Sequence, residues 1–281
     1  IFKKMIIRTY SKINLSLRVL KKLSNGFHDI QSNTFLINLY DEIKVLKTKT
    51  NKDKVLFKGN YSKFVKKKNT VTQVLKILRS NKIINDHYRI EVKKNTPVFS
   101  GLGGGTSNAF FLSKYLTKNN TNKNLKKKLV KKIGTDYELF GNKQTFQKSL
   151  SKIKPYKKNF RFYFVLIYPN LKCSTKSIYA KVKEFSKKSK VNFSNINSKS
   201  FFLRHIMEEK NDLQNIAAKK FPILKRMVKA LADQKNCKFS RMTGSGSVCF
   251  GLFNNHKSAK SALVKIKRKY PNFWCAMSKT I

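Results

Sequence analysis

The sequence predicts an α+β protein whose strands and helices do not strictly alternate. Three observations carry that expectation: period-two alternation in several segments, helical spacing in others, and a loop of four glycines between a predicted strand and a predicted helix. With 281 residues, 40% of them hydrophobic, the chain can fill a core and has room for one large domain or two ordinary ones.

From Ile6 to Asp41 apolar and polar residues alternate, with a break at Ser24-Asn25-Gly26, as expected of paired strands around a turn. Thr34 to Tyr40 reads as a further strand. Residues 69 to 82 place Val71, Val74, Leu75 and Leu78 at helical spacing, with Asn69 or Thr70 as the cap. His87 to Lys93 alternates Tyr88, Ile90 and Val92 against Arg89, Glu91 and Lys93, a half-buried strand leading into the glycine loop; Asn108 to Tyr115 reads as helix beyond it. The basic run Lys126 to Lys132, broken by Leu129 and Val130, is a helix surface. Ser149 to Asn159 is polar and lysine-rich around Pro155 and reads as a linker between residues 1–154 and 159–281, with a strand from Phe160 to Tyr168 opening the second part. Asn211-Asp212 can cap a helix bearing Leu213, Ile216 and Ala217, Pro222 restarts a helix through Ile223, Leu224, Met227 and Leu231, and a last helix spans about Lys257 to Lys269.

The longest apolar run, Phe162 to Tyr168, has the length of a strand and falls far short of the roughly 18 residues of a membrane-spanning helix. Residues 1–4 precede Met5, the expected start, and no secretion signal is visible. Cys173, Cys237, Cys249 and Cys275 show neither a disulfide framework nor zinc spacing, so a reduced cytoplasmic compartment and no protein-bound metal are expected. A net charge of +50 would by itself suggest a nucleic-acid binder. Yet only nine of the 63 basic residues are arginine and the lysines spread through the chain, which favours a compositional bias over a dedicated polyanion surface. No specific nucleic acid is expected as a partner, and the sequence leaves the oligomeric state open.

The strongest motif is Ser100-Gly101-Leu102-Gly103-Gly104-Gly105-Thr106-Ser107. Glycines let successive amides point inward, and the following helix adds its unpaired N–H groups, so the segment is built to hold phosphate oxygens, the plainer alternative being a flexible turn. It is not a P-loop, which needs lysine directly before the last hydroxyl residue, nor a dinucleotide fingerprint. Thr243-Gly244-Ser245-Gly246-Ser247 alone could be an ordinary hairpin turn. Alternation places Lys12 and Asn14 on one side of a strand, opposite Ile13 and Leu15, although in a chain with 54 lysines a solvated lysine is the ordinary outcome. Asp136, one of 13 acids, could be a general base, a cap or a surface charge. His28 could read a base edge with Phe27 as a stacking face, or simply sit at a turn.

These pieces occur in the order of the GHMP kinases. Ser11-Lys12-Ile13-Asn14-Leu15 resembles their first motif, Gly101 to Asn108 their ATP-phosphate loop, and Arg241 to Ser247 their third motif. Asn25-Gly26-Phe27-His28-Asp29-Ile30, Leu39-Tyr40-Asp41 and Ser174-Thr175-Lys176 resemble the branch acting on a cytidine-diphosphate-linked methylerythritol. The resemblance implies a two-domain GHMP-kinase-like fold, divided at 1–154 and 159–281, with the active site between the domains. It implies ATP, carrying Mg2+, bound by Pro97, Gly101, Leu102, Gly103, Gly104, Gly105, Thr106 and Ser107. It implies Asp136 as the base, Lys12 as the charge-stabilising group, and a cytidine diphosphate derivative held by Asn14, Phe27, His28, Ser174, Thr175, Gly244 and Ser245.

Three departures accompany this resemblance, one being that the glycine-rich stretch common in the family downstream of the proposed base is missing. Phe27 stands where the family usually has tyrosine, and Tyr137-Glu138-Leu139-Phe140 follows Asp136, so that Glu138 would set a second negative charge near the base. Alternatives are a GHMP kinase for another small alcohol, of homoserine or mevalonate type, and a degenerate relative that binds RNA.

Overall fold

In the computed structural model the described residues are 5–281, so the reading of Met5 as the start depends on residues outside them. The chain forms β1 (Met5–Lys22), β2 (His28–Thr48), β3 (Lys54–Lys58), α1 (Thr70–Ser80), β4 (His87–Lys93), α2 (Gly104–Leu116) and α3 (Lys123–Ile133). There follow β5 (Gln144–Ser149), β6 (Lys152–Pro155), β7 (Tyr163–Tyr168), α4 (Thr175–Tyr179), α5 (Lys199–Glu208) and α6 (Asp212–Lys220). The last elements are α7 (Ile223–Ala232), β8 (Phe239–Met242), β9 (Cys249–Phe253), α8 (His256–Lys269) and β10 (Trp274–Lys279). No helix among the described residues is long and apolar enough to cross a membrane.

Two compact units emerge, neither contiguous in sequence: the chain up to Ser11 with Leu39–Val98 and Gly103–Gly141, and Lys12–Asn38 with Phe99–Leu102 and Asn142–Ile281. The interleaving arises because β1 and β2 are long and each contributes to both. The expected separate strand Thr34–Tyr40 is part of β2. The polar stretch before it does not break the strand because its side chains are bonded: Ser32 Oγ donates to Ser16 O at 2.7 Å, Asn33 Nδ2 to Ser16 Oγ at 2.9 Å, and Gln31 Oε1 accepts from Ser189 N–H at 2.7 Å.

In the first unit, β2 and β4 pair antiparallel from Glu42↔Lys93 to Thr48↔His87, and β3 lies parallel to β4. Asn69 caps α1, its side chain accepting from the N–H groups of Val71 and Thr72 while Thr72 returns a bond to the Asn69 N–H. The buried face of α1 is Val71, Val74, Leu75 and Leu78, the four residues its spacing predicts. They pack on Ile43, Val45, Ile90 and Val92 of the strands and on Ala109, Leu112, Leu125 and Leu129 of α2 and α3. Each such side chain contributes about 1.5–3 kcal/mol when taken out of water.

In the second unit, Ser32–Phe35 of β2 pair antiparallel with β5, and β5 with β6. The segment 149–159, expected to be a linker, is therefore largely a hairpin arm. Its polar, lysine-rich composition suits the edge position of β6, whose outer side faces water, and Pro155, which has no N–H to give, is tolerated there. An antiparallel sheet in the order β10-β7-β9-β8 packs Val165, Ile167, Cys249 and Phe253 against Leu224, Met227 and Leu231 of α7 and Ala259, Ala262 and Ile266 of α8. β7 begins at Tyr163 because Phe160 and Phe162 are spent in an aromatic cluster on Phe202 of α5, with ring centroids 4.8 and 5.7 Å from it.

Phe202 also stacks on Phe35 at 5.6 Å and is wholly buried. Phe202→Ala is expected to destabilise the protein by about 3–5 kcal/mol, through lost burial and the cavity left behind. Chemical denaturation would check it by a lower midpoint at unchanged slope.

Candidate active site

In the first unit, the approach to the phosphate loop is organised by Asp41. Its Oδ1 accepts from the backbone N–H groups of Asn95 and Thr96, each at 2.8 Å, and its Oδ2 takes the Lys94 ammonium and Asn108 Nδ2, the latter at 3.0 Å. Lys94 also donates to Asn108 Oδ1 at 3.1 Å. Asp41 and Lys94 are both buried, and such a pair persists only where its remaining lone pairs and protons are matched, as here. Pro97 follows, also buried.

The helix α2 begins at Gly104, after Gly103 turns the chain with φ +70. No side chain caps it and its first turn holds no acid, so the amide N–H groups and the positive end of the dipole are left for an anion. Thr70 Oγ1 donates to Gly105 O at 2.7 Å and Ser107 Oγ to Tyr10 O at 2.6 Å, which pins the turn; Thr106 is half-buried. Beside α1 a cavity of 710 Å³ is bounded by Val55, Phe57, Val65 and Asn69 among others. Asp136 lies half-buried in a 3₁₀ turn, Thr135–Gly141, anchored by buried Tyr137, Leu139 and Phe140. Glu138 is tied to Lys126 at 2.5 Å, so its charge is partnered and not simply added to that of Asp136.

In the second unit, Lys12 and Asn14 do share a face of β1. Both are buried, and the Lys12 ammonium donates to Asn14 Oδ1. Asn14 Nδ2 donates to Ser32 Oγ at 2.8 Å and Thr34 Oγ1 at 3.0 Å, which turns its carbonyl toward the lysine. The Asn14 N–H donates to Thr243 Oγ1 at 2.9 Å, and the Lys12 N–H to Leu102 O at 3.0 Å.

The turn 243–247 joins β8 to β9 and lies against the start of the phosphate loop. A Cβ added at Gly101, where φ is +80, would stand 2.3 Å from Thr243 O. One added at Gly244, φ +56, would stand 3.3 Å from Asn14 Oδ1 and 3.4 Å from Lys12 Nζ. Val248 N–H donates to Ser100 O at 3.1 Å. Asn211, the cap of α6, donates to Met242 O at 2.7 Å and Gly244 O at 2.8 Å. Burial pushes the Arg241 guanidinium down to about 10, still cationic at neutral pH, and it binds Leu15 O and Ile206 O at 2.8 Å and Met207 O at 2.9 Å.

Ser245 Oγ meets Thr175 Oγ1 at 2.9 Å, and Ser174 caps α4 by accepting from Ser177 N–H. At the other end of that helix the Tyr179 ring lies 5.1 Å from the ring of His28. Burial and, secondarily, Lys22 push the His28 imidazole below its ordinary range, so it is neutral at pH 7. Phe27 is 54% exposed. Asp41, Lys94, Asn211, Arg241 and Tyr179 were missing from the site expected from sequence. Asp41 and Arg241 lie within motifs that the sequence singles out and Asn211 at an expected helix cap, whereas Lys94 and Tyr179 carry no such signal.

A family model described as GHMP kinases C terminal matches residues 200–272. The chain is 39% identical over 283 residues to a 4-diphosphocytidyl-2-C-methyl-D-erythritol kinase of Pelagibacter ubique (strain HTCC1062), covering 98% of each. It is 31% identical to the kinase of that name from Buchnera aphidicola subsp. Acyrthosiphon pisum (strain APS), covering 94% of this chain and 91% of the other. A solved 4-(cytidine 5'-diphospho)-2C-methyl-D-erythritol kinase superposes with TM-score 0.75 at 21% identity, covering 98% of this chain and 99% of that one. A homoserine kinase from Cytophaga hutchinsonii gives 0.67 at 16%, covering 100% and 96%, so the fold itself is that of the GHMP kinases. With 39% identity along nearly the whole of both chains, this protein belongs to the 4-diphosphocytidyl-2-C-methyl-D-erythritol kinase family.

Proposed function

We propose that this protein transfers the γ-phosphoryl group of ATP to the 2-hydroxyl of 4-diphosphocytidyl-2-C-methyl-D-erythritol, a step of the non-mevalonate route to isoprenoid precursors. The observation that carries the reading is the packing of the turn at Gly244 on the Lys12–Asn14 pair, beside the start of the phosphate loop. The relatives' shared name supports the choice of acceptor over a homoserine-type or mevalonate-type alcohol.

On this reading Asp136 accepts the proton of the 2-hydroxyl as its oxygen attacks the γ-phosphorus. The new O–P bond forms as the bond to the β-phosphate oxygen breaks, and ADP leaves with the electron pair. Lys12, oriented by Asn14, balances the charge that develops on the acceptor oxygen. The amides of Gly103 to Ser107 and the end of the α2 dipole take up charge on the transferring group, so positioning and electrostatics supply the acceleration. Magnesium, a hard cation, is carried by the nucleotide phosphates and water. The purine is assigned to the cavity beside α1, whose 710 Å³ is within the usual range for a ligand site. Neutral His28 reads the cytosine edge, with Phe27 and Tyr179 as stacking faces. The place we assign to the enzyme is the cytoplasm.

The first test is turnover of that acceptor with Mg-ATP at about 0.15 M salt, where surface charge is screened beyond roughly 8 Å. Asp136→Asn is expected to lower kcat about 10²–10⁴-fold at little change in Tm. No turnover by the wild type, with tight and sequence-selective RNA binding at that salt, would overturn the reading. Gly101→Ala is expected to abolish turnover and lower Tm, since the added carbon would sit 2.3 Å from a carbonyl oxygen and left-handed backbone costs a non-glycine residue about 1–2 kcal/mol. Because the His28 imidazole is held below its ordinary range, the acceptor KM should stay flat from pH 8 to below about 6.5. It should rise only at more acid pH, as the imidazolium forms, and His28→Gln should remove that rise.

A further inference from the structure

Phe99, the residue before Ser100, is a bulky aromatic in left-handed backbone at φ +56 and is 48% exposed. Neither property helps folding: burial is forgone, and the conformation is one that side chains of this size avoid. Strain of this kind persists where surrounding structure enforces it, and it points to function at the site that holds it. The Lys172 ammonium lies over the ring, 5.7 Å from its centroid.

The segment that carries Lys172 is fixed on both sides. Ser247 Oγ donates to Leu171 O at 2.5 Å, and Thr175 Oγ1 bonds Ser245 Oγ at 2.9 Å, so residues 171–175 are tied to the turn that packs on Lys12 and Asn14. Beyond it α4 runs five residues to Tyr179 and its contact with His28, an axial length of about 7.5 Å at 1.5 Å per residue. One short stretch of chain thus reaches from the cytosine reader to the start of the phosphate loop, with Lys172 at the phosphate-loop end. A cytidine diphosphate ester bound along it has its diphosphate between those two ends.

We propose that Lys172 is a specificity-determining residue that binds the diphosphate of the acceptor, and that Phe99 is its positioning residue, the ring face holding the ammonium in place. This deepens the proposed function and rests on it. The strain at Phe99 is then the cost of presenting an aromatic face where the backbone calls for glycine.

The test uses the full-length protein and two probes, CDP and cytidine, with binding followed by calorimetry beside steady-state kinetics. The wild type is expected to bind CDP at least tenfold more tightly than cytidine. Lys172→Met should lose most of that preference and raise the acceptor KM about tenfold with the ATP KM unchanged, while Lys172→Arg should retain both. Phe99→Gly should raise Tm, because glycine accepts φ +56 without strain, and yet raise the acceptor KM; a purely structural Phe99 would not separate the two. Unchanged CDP preference in Lys172→Met, an effect confined to the ATP KM, or an unchanged acceptor KM in Phe99→Gly would overturn the inference while leaving the wild-type turnover intact. Failure of the wild type to phosphorylate the acceptor would instead strike the proposed function.

Discussion

The structure of the second unit turns on a contact between two stretches of backbone: Gly101 against the carbonyl of Thr243, too close for any side chain on the glycine. Backbone groups that approach this closely need their other hydrogen bonds met, and they are. Val248 N–H goes to Ser100 O, Lys12 N–H to Leu102 O, and Asn14 N–H to the Thr243 hydroxyl. The first motif, the third motif and the start of the phosphate loop thereby become one hydrogen-bonded assembly. Arg241 and Asn211 extend it, each binding backbone carbonyls and so holding a turn that has little side-chain bulk of its own.

Acids are scarce in this chain, and where they occur inside it they organise backbone. Asp41 holds two amides and the Lys94 ammonium ahead of the phosphate loop. Asp212 accepts from the Val19 N–H at 2.7 Å, Asp29 from the Leu150 N–H at 2.7 Å, and Glu209 takes Arg18 through both oxygens. Each of these carboxylates joins segments far apart in the chain, at points where strands must be fixed. Most lysines, by contrast, lie on solvated surfaces, as a compositional bias would leave them; Lys12 and Lys94 are the buried exceptions among the described residues.

Much of the architecture was legible because local chemistry and tertiary packing agreed. The face of α1, the Asn69 and Asn211 caps, the restart at Pro222 and the shared face of Lys12 and Asn14 all follow from period and cap preference, and each occurs as expected. The segment 149–159 was misread because an edge strand and a linker share a composition: both are solvated, and hydrogen bonding along one side leaves no mark on residue type. The continuity of β2 was hidden for the opposite reason, since Gln31, Ser32 and Asn33 look like a break until their partners in other segments are seen.

By itself the sequence determined the α+β class, the three motifs, and the residue types able to hold phosphate, take a proton and read a base. Those properties reside in single residues or short spacings, where the chain needs no distant partner to show them. Only the tertiary structure decided which groups are paired and which glycines are indispensable. It showed Glu138 matched by Lys126, Asp41 anchoring the approach to the loop, Gly101 sealed against Thr243, and Phe99 strained beneath Lys172. Each of these joins residues far apart in the chain, and distance along the sequence carries no information about distance in space until the core has packed.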